Sequence, residues 1–255
     1  MLRIELVEEY LTTRELGRNI TYYPFTDSTN DDMWELLDQG GATGGHVVVT
    51  DEQRHGKGRQ GRPWFSAAGL ALPFSVLLLP DLRLKQLGLL SLAAGVAVVR
   101  ALHESRVAVQ LKWPNDIVAG ELKVGGILTE TRLVDEGPIA VQGIGLNVNE
   151  LAEDLAPEIS DTAVSARMLS GSEIERELLL ARTLGHLENI LDNEIEIITD
   201  EWMKSCAHIG YTVCLTVEGQ EVKGKFTGVT EDGYGLIAAD GETHTVMAGD
   251  IRWCN

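Results

Sequence analysis

The sequence predicts an α/β (α+β) protein in which a mixed sheet with helices comes first and a small β-barrel comes last. Its 255 residues suffice for one medium-sized domain and one small domain. In the first part, short apolar strands alternate with stretches of helical periodicity. From Tyr211 onward, short alternating strands are separated by glycine-rich turns, a pattern typical of a barrel of about 45–50 residues. We therefore predict domains at 1–206 and 207–255.

Hydrophobic periodicity and turn residues place the individual elements. A first helix begins at Ser28 or Thr29, whose hydroxyls can cap it, and ends at the glycine pair 40–41. Further helices are predicted over 86–105, 173–193 and 194–206. Strands are predicted over 46–50, 70–80, 107–112, 139–148, 213–217, 222–229, 236–239 and 244–247, with a hairpin over 117–130. Pro73 leaves the pairing of the second strand open, since proline donates no hydrogen bond.

Composition excludes several classes of protein. A net charge of −18 argues against general nucleic-acid binding, which needs a basic surface. No apolar run approaches the roughly 20 residues that span a bilayer, and the acidic first ten residues do not resemble a signal peptide. We therefore expect no membrane partner and a cytoplasmic location. The cysteines (Cys206, Cys214 and Cys254) are odd in number and form no C-x-x-C pair, so we expect reduced, mostly buried thiols and no zinc site.

A basic, glycine-rich segment covers residues 53–64. Its glycines at 56, 58 and 61 alternate with Lys57, Arg59 and Arg62, and no acidic residue interrupts it. Glycine lets the backbone approach a ligand and the cations neutralise charge, so this segment can wrap an anion. The alternative is a solvated basic turn. The segment lacks the spacing of a Walker A loop.

Four further motifs are candidates for a binding site. Residues 112–116 read Lys-Trp-Pro-Asn-Asp after a strand, and alternation places Lys112, Pro114 and Asp116 on one side. An Asn/Asp pair beside a lysine could bind a polar heterocycle or orient a metal, or it could form a turn with a local salt bridge. Lys123 alternates with Gly125, which suits a ligand lying flat on a strand or an exposed edge strand. The strand 143–149 carries Asn147 at its end, and residues 27–30 join hydroxyls and an amide at a helix start.

Together, these motifs resemble those of biotin protein ligases. In chain order they are S-T-N, Q-x-x-G-[RK]-G-R-x-G-R-x-W, K-W-P-N-D, K-x-x-G-I-L and G-I-G-x-N-V. The resemblance covers about residues 25–149 plus the C-terminal barrel. It implies a catalytic domain like that of class II aminoacyl-tRNA synthetases, followed by an SH3-like barrel. Only 27 residues precede Ser28, so we expect the form without a DNA-binding repressor domain, which needs about 50 or more.

The resemblance also implies an activity and its participants. The enzyme would adenylate biotin with ATP and Mg²⁺, and would then pass biotin to a lysine of a biotin carboxyl carrier protein or domain. We expect a monomer or homodimer that binds no nucleic acid. A lipoate protein ligase is the nearest alternative. Others are a non-enzymatic biotin sensor, a DNA-binding repressor and a soluble α/β domain with coincidental motifs.

Site residues follow from the resemblance position by position. The biotin-binding residues would be Ser28, Thr29, Asn30, Gln53, Gly56, Lys57, Gly58, Arg59, Lys123, Gly125 and Gly126. The nucleotide-binding residues would be Lys57, Arg59, Arg62, Trp64, Lys112, Asn115, Asp116 and Asn147. Lys123, Arg59 and Lys112 would be catalytic, and no metal ligand is assigned. Either Trp64 or Trp113 would pack near the ligand. Lys57 replaces an arginine that is common in the family and lacks its bidentate fork.

Overall fold

A seven-stranded mixed sheet organises the first part of the chain, with strand order β1-β2-β5-β9-β8-β7-β6. The computed structural model describes residues 1–79, 84–135, 137–194, 197–217 and 220–254. The strands in chain order are β1 (Ile20–Tyr23), β2 (Val47–Thr50), β3 (Gly56–Lys57), β4 (Pro63–Trp64), β5 (Leu72–Leu78), β6 (Gln110–Lys112), β7 (Asp116–Ala119), β8 (Leu122–Val134), β9 (Gly137–Leu146), β10 (Thr212–Val217), β11 (Gln220–Val229), β12 (Gly235–Ala239), β13 (Glu242–Val246) and β14 (Arg252–Trp253). The helices are α1 (Ile4–Tyr10), α2 (Thr29–Asp38), α3 (Gly88–Glu104), α4 (Ala166–Ser170), α5 (Arg176–Asn189) and α6 (Ile198–Ser205).

Helices cover both faces of this sheet. Val47 and Val49 of β2 belong to the larger core, where α3 packs against α5 and α6. Val48, between them, faces the opposite side and packs in a smaller cluster with Met33 and Trp34 of α2. Because successive side chains of a strand point to opposite faces, a strand buried on both faces must be apolar throughout. This explains why β2 is an unbroken β-branched run.

The predicted mixed sheet is present, and β1 pairs with β2 in parallel while the other neighbouring strands are antiparallel. The helix predicted over 86–105 is α3, and the stretch at 173–193 contains α5. Pro73 pairs opposite Gly145 in the β5–β9 ladder, whereas the pairing of β2 with β5 ends at Phe74. The proline therefore lies where β5 has lost one neighbour. Pro80 and residues 195–196, within the predicted strand and helix, lie outside the described residues.

A second, antiparallel sheet follows at the C-terminal end, in the order β13-β12-β11-β10-β14. Its fully buried Phe226 lies between Trp113 of the first part and Trp202 of α6, with ring centroids 6.4 and 6.5 Å away. The indole nitrogen of Trp113 also donates a hydrogen bond to the carbonyl oxygen of Gly233, at 3.2 Å. The K-W-P-N-D tryptophan is thus a contact between the two sheets.

The expectation of three reduced cysteines is wrong for two of them. Cys214 and Cys254 form a disulfide, with Cα atoms 5.7 Å apart. The short strand β14 returns beside β10 and brings the end of the chain against Cys214. A sequence separation of 40 residues gave no sign of this approach. Cys206 is the buried thiol that was predicted, and burial raises its pKa to about 12.

No helix within the described ranges is long and apolar enough to cross a membrane.

We predict that Trp113→Ala lowers the free energy of unfolding by about 3–5 kcal/mol, because it empties a packed site between the two sheets. Chemical denaturation followed by circular dichroism measures this. Met247→Ala is the matched control, since Met247 is 74% exposed and should change stability by no more than about 0.5 kcal/mol. A loss at Trp113 as small as that of the control would show that the contact does not hold the sheets together.

Candidate functional site

A cavity of about 150 Å³ opens between the start of α2, the β3–β4 hairpin and strands β8 and β9. It brings together most of the residues that the motifs singled out. These are Ser28, Thr29, Asn30, Gln53, Lys57, Gly58, Arg59, Arg62, Trp64, Asn115, Asp116, Lys123 and Gly126. We call it the central cavity.

The start of α2 forms the polar floor of the central cavity. Ser28, Thr29 and Asn30 are almost completely buried. Ser28 is the N-terminal cap residue by position, but its hydroxyl makes no capping hydrogen bond. The predicted capping role of this hydroxyl is therefore wrong. The backbone N–H of Thr29 instead donates to the side-chain oxygen of Gln53, at 2.9 Å, and so fixes the orientation of that amide.

The basic glycine segment contains a short hairpin, in which β3 pairs with β4. The N–H of Gly58 donates to the carbonyl oxygen of Arg62 at 2.7 Å, so it is not exposed for a ligand. Gly56 pairs with Trp64, and a Cβ atom at Gly56 would lie 2.6 Å from the Trp64 carbonyl oxygen. The glycine at this position therefore allows the two short strands to close.

Each cation that lines the central cavity has an internal partner. Lys57 pairs with Asp31 at 2.6 Å, Lys123 with Asp116 at 2.6 Å, and Arg62 with Asp250 at 2.8 Å.

Arg59 is the most buried of these cations, with 21% of its side chain exposed. It donates to the side-chain oxygen of Asn115 at 3.2 Å and lies 3.9 Å from Asp250. Burial lowers the pKa of Arg59 from its ordinary value, against the opposing effect of Asp250 and Asp116. The guanidinium is therefore held at one point between the hairpin, the β6–β7 turn and the C-terminal sheet.

The K-W-P-N-D motif forms the tight turn between β6 and β7. Lys112 and Asp116 are cross-strand partners on one face, as alternation predicted, although a turn and not a continuous strand joins them. The side chain of Asn115 donates to the carbonyl oxygen of Ile127 at 2.6 Å and is thereby fixed against β8. Asp116 lines the central cavity, whereas Lys112 does not.

A β-bulge changes which glycine lies beside Lys123. Ile117 pairs with Gly125 and Val118 with Lys123, so Val124 is the extra residue. A Cβ atom on Gly126 would lie 3.2 Å from the lysine amine, whereas one on Gly125 would meet Leu146 of β9. The predicted pairing of Lys123 with Gly125 across a bare surface is therefore wrong, and Gly126 has that position.

Gly143 and Gly145 of β9 allow the side chains of Asn30 and Trp64 to pack directly against the strand backbone. A Cβ atom on Gly145 would lie 2.5 Å from the ring of Trp64, and one on Gly143 would lie 2.4 Å from the amide oxygen of Asn30. Of the two candidate tryptophans, Trp64 lines the central cavity, whereas Trp113 lies between the sheets.

Trp64 borders two further cavities. One, of about 430 Å³, lies on the other side of the hairpin and includes Gly56, Asn147 and Glu150. The other, of about 110 Å³, lies between Trp64, Lys123 and Asn147. Gly56 and Asn147 are thus placed next to the central cavity, beyond Trp64. Of the predicted site residues, Lys112 and Gly125 line none of these three cavities.

Sequence reasoning missed several residues of the site. Asp250 and the carbonyl group of Gly249 lie in the segment between β13 and β14, nearly 200 residues from their partner Arg59. No motif surrounds them, so no local signal could have identified them. Ser75 and Glu130 were also missed, because each sits in an ordinary strand pattern.

The fold and the site together define a class of ligand-binding protein. A polar pocket at a helix start adjoins a group of cations on the same sheet. Such a site suits a ligand with a hydrogen-bonding head at one end and a negative charge at the other.

Comparisons with known proteins identify the family. The family model described as the biotin/lipoate A/B protein ligase family matches residues 22–149, and that of the biotin protein ligase C-terminal domain matches residues 208–252. The chain belongs to the biotin/lipoate A/B protein ligase family.

Individual relatives agree with this assignment. A biotin–[acetyl-CoA-carboxylase] ligase of Mycobacterium tuberculosis is 31% identical, over 98% of this chain and 96% of its own length. The bifunctional ligase/repressor BirA of Bacillus subtilis is 30% identical, over 95% of this chain and 76% of its own length. A biotin protein ligase from Aquifex aeolicus, solved in complex with biotin and ATP, is 29% identical with a TM-score of 0.78, and the match covers 92% of this chain and 98% of that one.

We predict that Asp250→Asn loosens the basic hairpin, since Arg62 and Arg59 lose their carboxylate partner. Limited trypsin digestion should cut after Lys57 and Arg59 about two- to fivefold faster, the scale of a partly exposed ion pair. Glu242→Gln, at an exposed position of β13, is the control and should leave the rate unchanged. Equal cleavage of both variants would show that Asp250 does not restrain the hairpin.

We predict that Glu150→Gln stabilises the protein more at pH 8 than at pH 5. Glu150 is 1% exposed, and burial raises its pKa to about 7. The folded protein therefore favours the protonated carboxyl, and stability is lost as the pH rises from about 4.5 through 7. The gain at pH 8 should exceed that at pH 5 by roughly 1–3 kcal/mol, measured by chemical denaturation. An equal effect at both pH values would contradict the raised pKa.

Proposed function

We propose that the protein is a biotin protein ligase. It adenylates biotin with ATP to form biotinyl-5′-AMP and pyrophosphate, and then transfers biotin to the acceptor lysine of a biotin carboxyl carrier domain, releasing AMP. The observation that carries this proposal is the fold match to the Aquifex aeolicus ligase in complex with biotin and ATP, over 92% of this chain. The central cavity, which joins a polar floor to a group of cations, supports it.

The ureido ring of biotin would bind at the polar floor. This ring presents both hydrogen-bond donors and an acceptor, and Ser28, Thr29, Asn30 and Gln53 supply matching groups at the start of α2. The hairpin residues Gly56, Lys57, Gly58 and Arg59 would close over the ligand. Gly126 leaves room beside Lys123 for the ligand's tail, while Gly125, which the resemblance also implied, faces β9.

The anionic end of biotin would lie next to Lys123. The amine of Lys123 lies 2.6 Å from Asp116, and Lys123 lines the cavity together with Arg59 and Lys57. The nucleotide would extend past Trp64 toward Asn147, with Asn115, Asp116 and Arg62 along its path. Lys112, to which the resemblance also assigns a catalytic and nucleotide-binding role, lies outside all three cavities but pairs across the β6–β7 turn with Asp116, which lines the central cavity.

The chemistry requires two anions to approach each other. An oxygen of the biotin carboxylate attacks the α-phosphorus of ATP, and pyrophosphate leaves. Lys123, Arg59 and Lys57 would reduce the repulsion and orient both groups, which is positioning and electrostatic stabilisation. In the second step, the neutral amine of the acceptor lysine attacks the carbonyl carbon of the mixed anhydride. AMP leaves, and the amine loses a proton as the amide forms.

Mg²⁺ would accompany ATP. Among the described residues no three His, Cys, Asp or Glu side chains cluster as a metal site. Mg²⁺ commonly binds one or two carboxylates together with substrate phosphates. Asp116 and Asp250, which line the cavity, fit an ion of this kind, and the ion would neutralise phosphate charge.

The finer description of the fold belongs to the same proposal. We infer a catalytic domain at 1–206, like that of class II aminoacyl-tRNA synthetases, and an SH3-like domain at 207–255. The separate C-terminal sheet and the family match to residues 208–252 support this division. The acceptor is inferred from the name of the mycobacterial relative, an acetyl-CoA-carboxylase ligase. A cytoplasmic location, a monomeric or homodimeric state and the lack of nucleic-acid binding stay predictions from the sequence.

The decisive experiment combines the protein with ATP, Mg²⁺, biotin and a biotin carboxyl carrier domain. Intact-mass measurement should show the carrier gaining one biotinyl group, and no gain when ATP is omitted. Because the family includes lipoate ligases, parallel reactions with lipoate and a lipoyl domain test the second candidate. Modification by lipoate in preference to biotin would overturn the proposal.

We predict that Lys123→Ala slows adenylation about 10²- to 10³-fold, the usual scale for one electrostatic donor. Biotin-dependent ATP–pyrophosphate exchange measures this step without the carrier. Lys204→Ala removes an exposed lysine of α6 and should leave the exchange rate unchanged. Near wild-type exchange by Lys123→Ala would remove this lysine from the adenylation step.

A further inference from the structure

Beneath the polar floor of the central cavity, the buried side chains of Thr29, Ser75 and Asn30 form a chain of hydrogen bonds that ends at the partly buried Glu130. The carboxyl group lies on β8, behind the first turn of α2. Its oxygen Oε2 accepts hydrogen bonds from the amide nitrogen of Asn30 at 2.9 Å and from the indole nitrogen of Trp34 at 3.2 Å. Both partners can only donate through these nitrogens, so Oε2 must act as the acceptor in both bonds.

These contacts determine the orientation of the Asn30 amide. Its nitrogen also lies 3.4 Å from the carbonyl oxygen of Leu128, a second acceptor on the same side. The amide oxygen must therefore point the other way, toward Ser75 at 2.6 Å. Gly143 provides the space for this oxygen, since any Cβ atom there would lie 2.4 Å from it.

The orientation of Asn30 in turn sets the direction of the next hydrogen bond. The Ser75 hydroxyl lies 2.6 Å from the Asn30 oxygen and 2.7 Å from the Thr29 hydroxyl, but it carries a single hydrogen. The amide oxygen can only accept, so Ser75 donates to Asn30. Thr29 therefore receives no hydrogen from Ser75, and its own hydrogen points to Ser75 at 2.7 Å or to the side-chain oxygen of Gln53 at 3.1 Å.

The Thr29 hydroxyl consequently presents lone pairs to the cavity, and no hydrogen. Such a group recognises an N–H donor on a ligand, as the ureido ring of biotin provides. We propose that Glu130 is a positioning residue for biotin: it orients the Asn30 amide to take the hydrogen of Ser75, which leaves the Thr29 oxygen free to accept from a ureido N–H group. This inference rests on the proposed function, because it takes biotin as the ligand.

The test measures biotin binding by isothermal titration calorimetry, without ATP. Glu130→Leu removes the acceptor and should raise the dissociation constant about 10- to 100-fold, the range expected when buried polar groups lose their partner. Glu130→Gln keeps an oxygen acceptor and should recover most of the affinity. Trp34→Phe is the matched control, since it removes the other donor to Glu130 but leaves Asn30 in place, and its affinity should stay near that of the wild type.

Two further readouts separate positioning from general damage. Ser75→Ala breaks the same chain one step later, so its effect and that of Glu130→Leu should be strongly non-additive in the double variant. A biotin analogue with methylated ureido nitrogens should bind far more weakly than biotin to the wild type. In Glu130→Leu this difference in affinity should shrink, whereas a merely structural defect would weaken the binding of both ligands equally. Circular dichroism and melting temperatures check that each variant is folded.

The possible failures are distinguishable. If the wild-type protein binds no biotin, the proposed function fails, and this inference fails with it. If the wild type binds biotin and Glu130→Leu binds it equally well, or if the variants are additive and the analogue keeps its full disadvantage, only the role of Glu130 is overturned.

Discussion

Two glycines of β9, Gly143 and Gly145, determine how closely the rest of the site approaches the sheet. At Gly143 the amide of Asn30 occupies the place of a side chain, and at Gly145 the ring of Trp64 does so. Any Cβ atom at these positions would lie within about 2.5 Å of those groups, far inside van der Waals contact. The start of α2 and the basic hairpin therefore both depend on bare backbone in one strand. Larger residues there would move the floor and one wall of the central cavity together.

The cations of the site are neutralised internally. In a chain with a net charge of −18, a concentration of positive charge can persist because Asp31, Asp116 and Asp250 lie beside it. An anionic ligand would therefore compete with these carboxylates for each cation, and does not meet bare charge. This exchange favours ligands that offer several negative oxygens at once, because a single carboxylate would only match the partner that it displaces.

Much of this site follows from the sequence, because its motifs are local. The glycines and cations at 56–62, the turn at 112–116 and the lysine at 123 each predict a ligand-binding segment, and the structure brings most of them to one cavity. What the sequence does not reveal depends on register or on long separation. The bulge at Val124 exchanges the roles of Gly125 and Gly126, and alternation alone cannot locate a bulge.

Long-range partners were hidden for a different reason. Asp250 meets Arg62, and Cys254 meets Cys214, only because β14 and the segment before it return along the C-terminal sheet. Glu130 and Ser75 lie in strands whose hydrophobic patterns are typical of ordinary edge and core strands. Only their hydrogen bonds to Asn30 of α2 show that they belong to the site. Sequence patterns predict a site when its residues are close together in the chain. They do not predict contacts between residues that are far apart in the chain and meet only in the folded structure.

Trp64 forms a wall that the central cavity shares with the two cavities beyond it. A ligand that presses against one side of this ring restricts the positions available to the ring on the other side. Ligands in the adjoining cavities would therefore be linked energetically through a single side chain. Thermodynamic reciprocity then requires each occupant to change the affinity of the other by the same factor, so the order of their arrival alters the kinetics of loading but not its equilibrium.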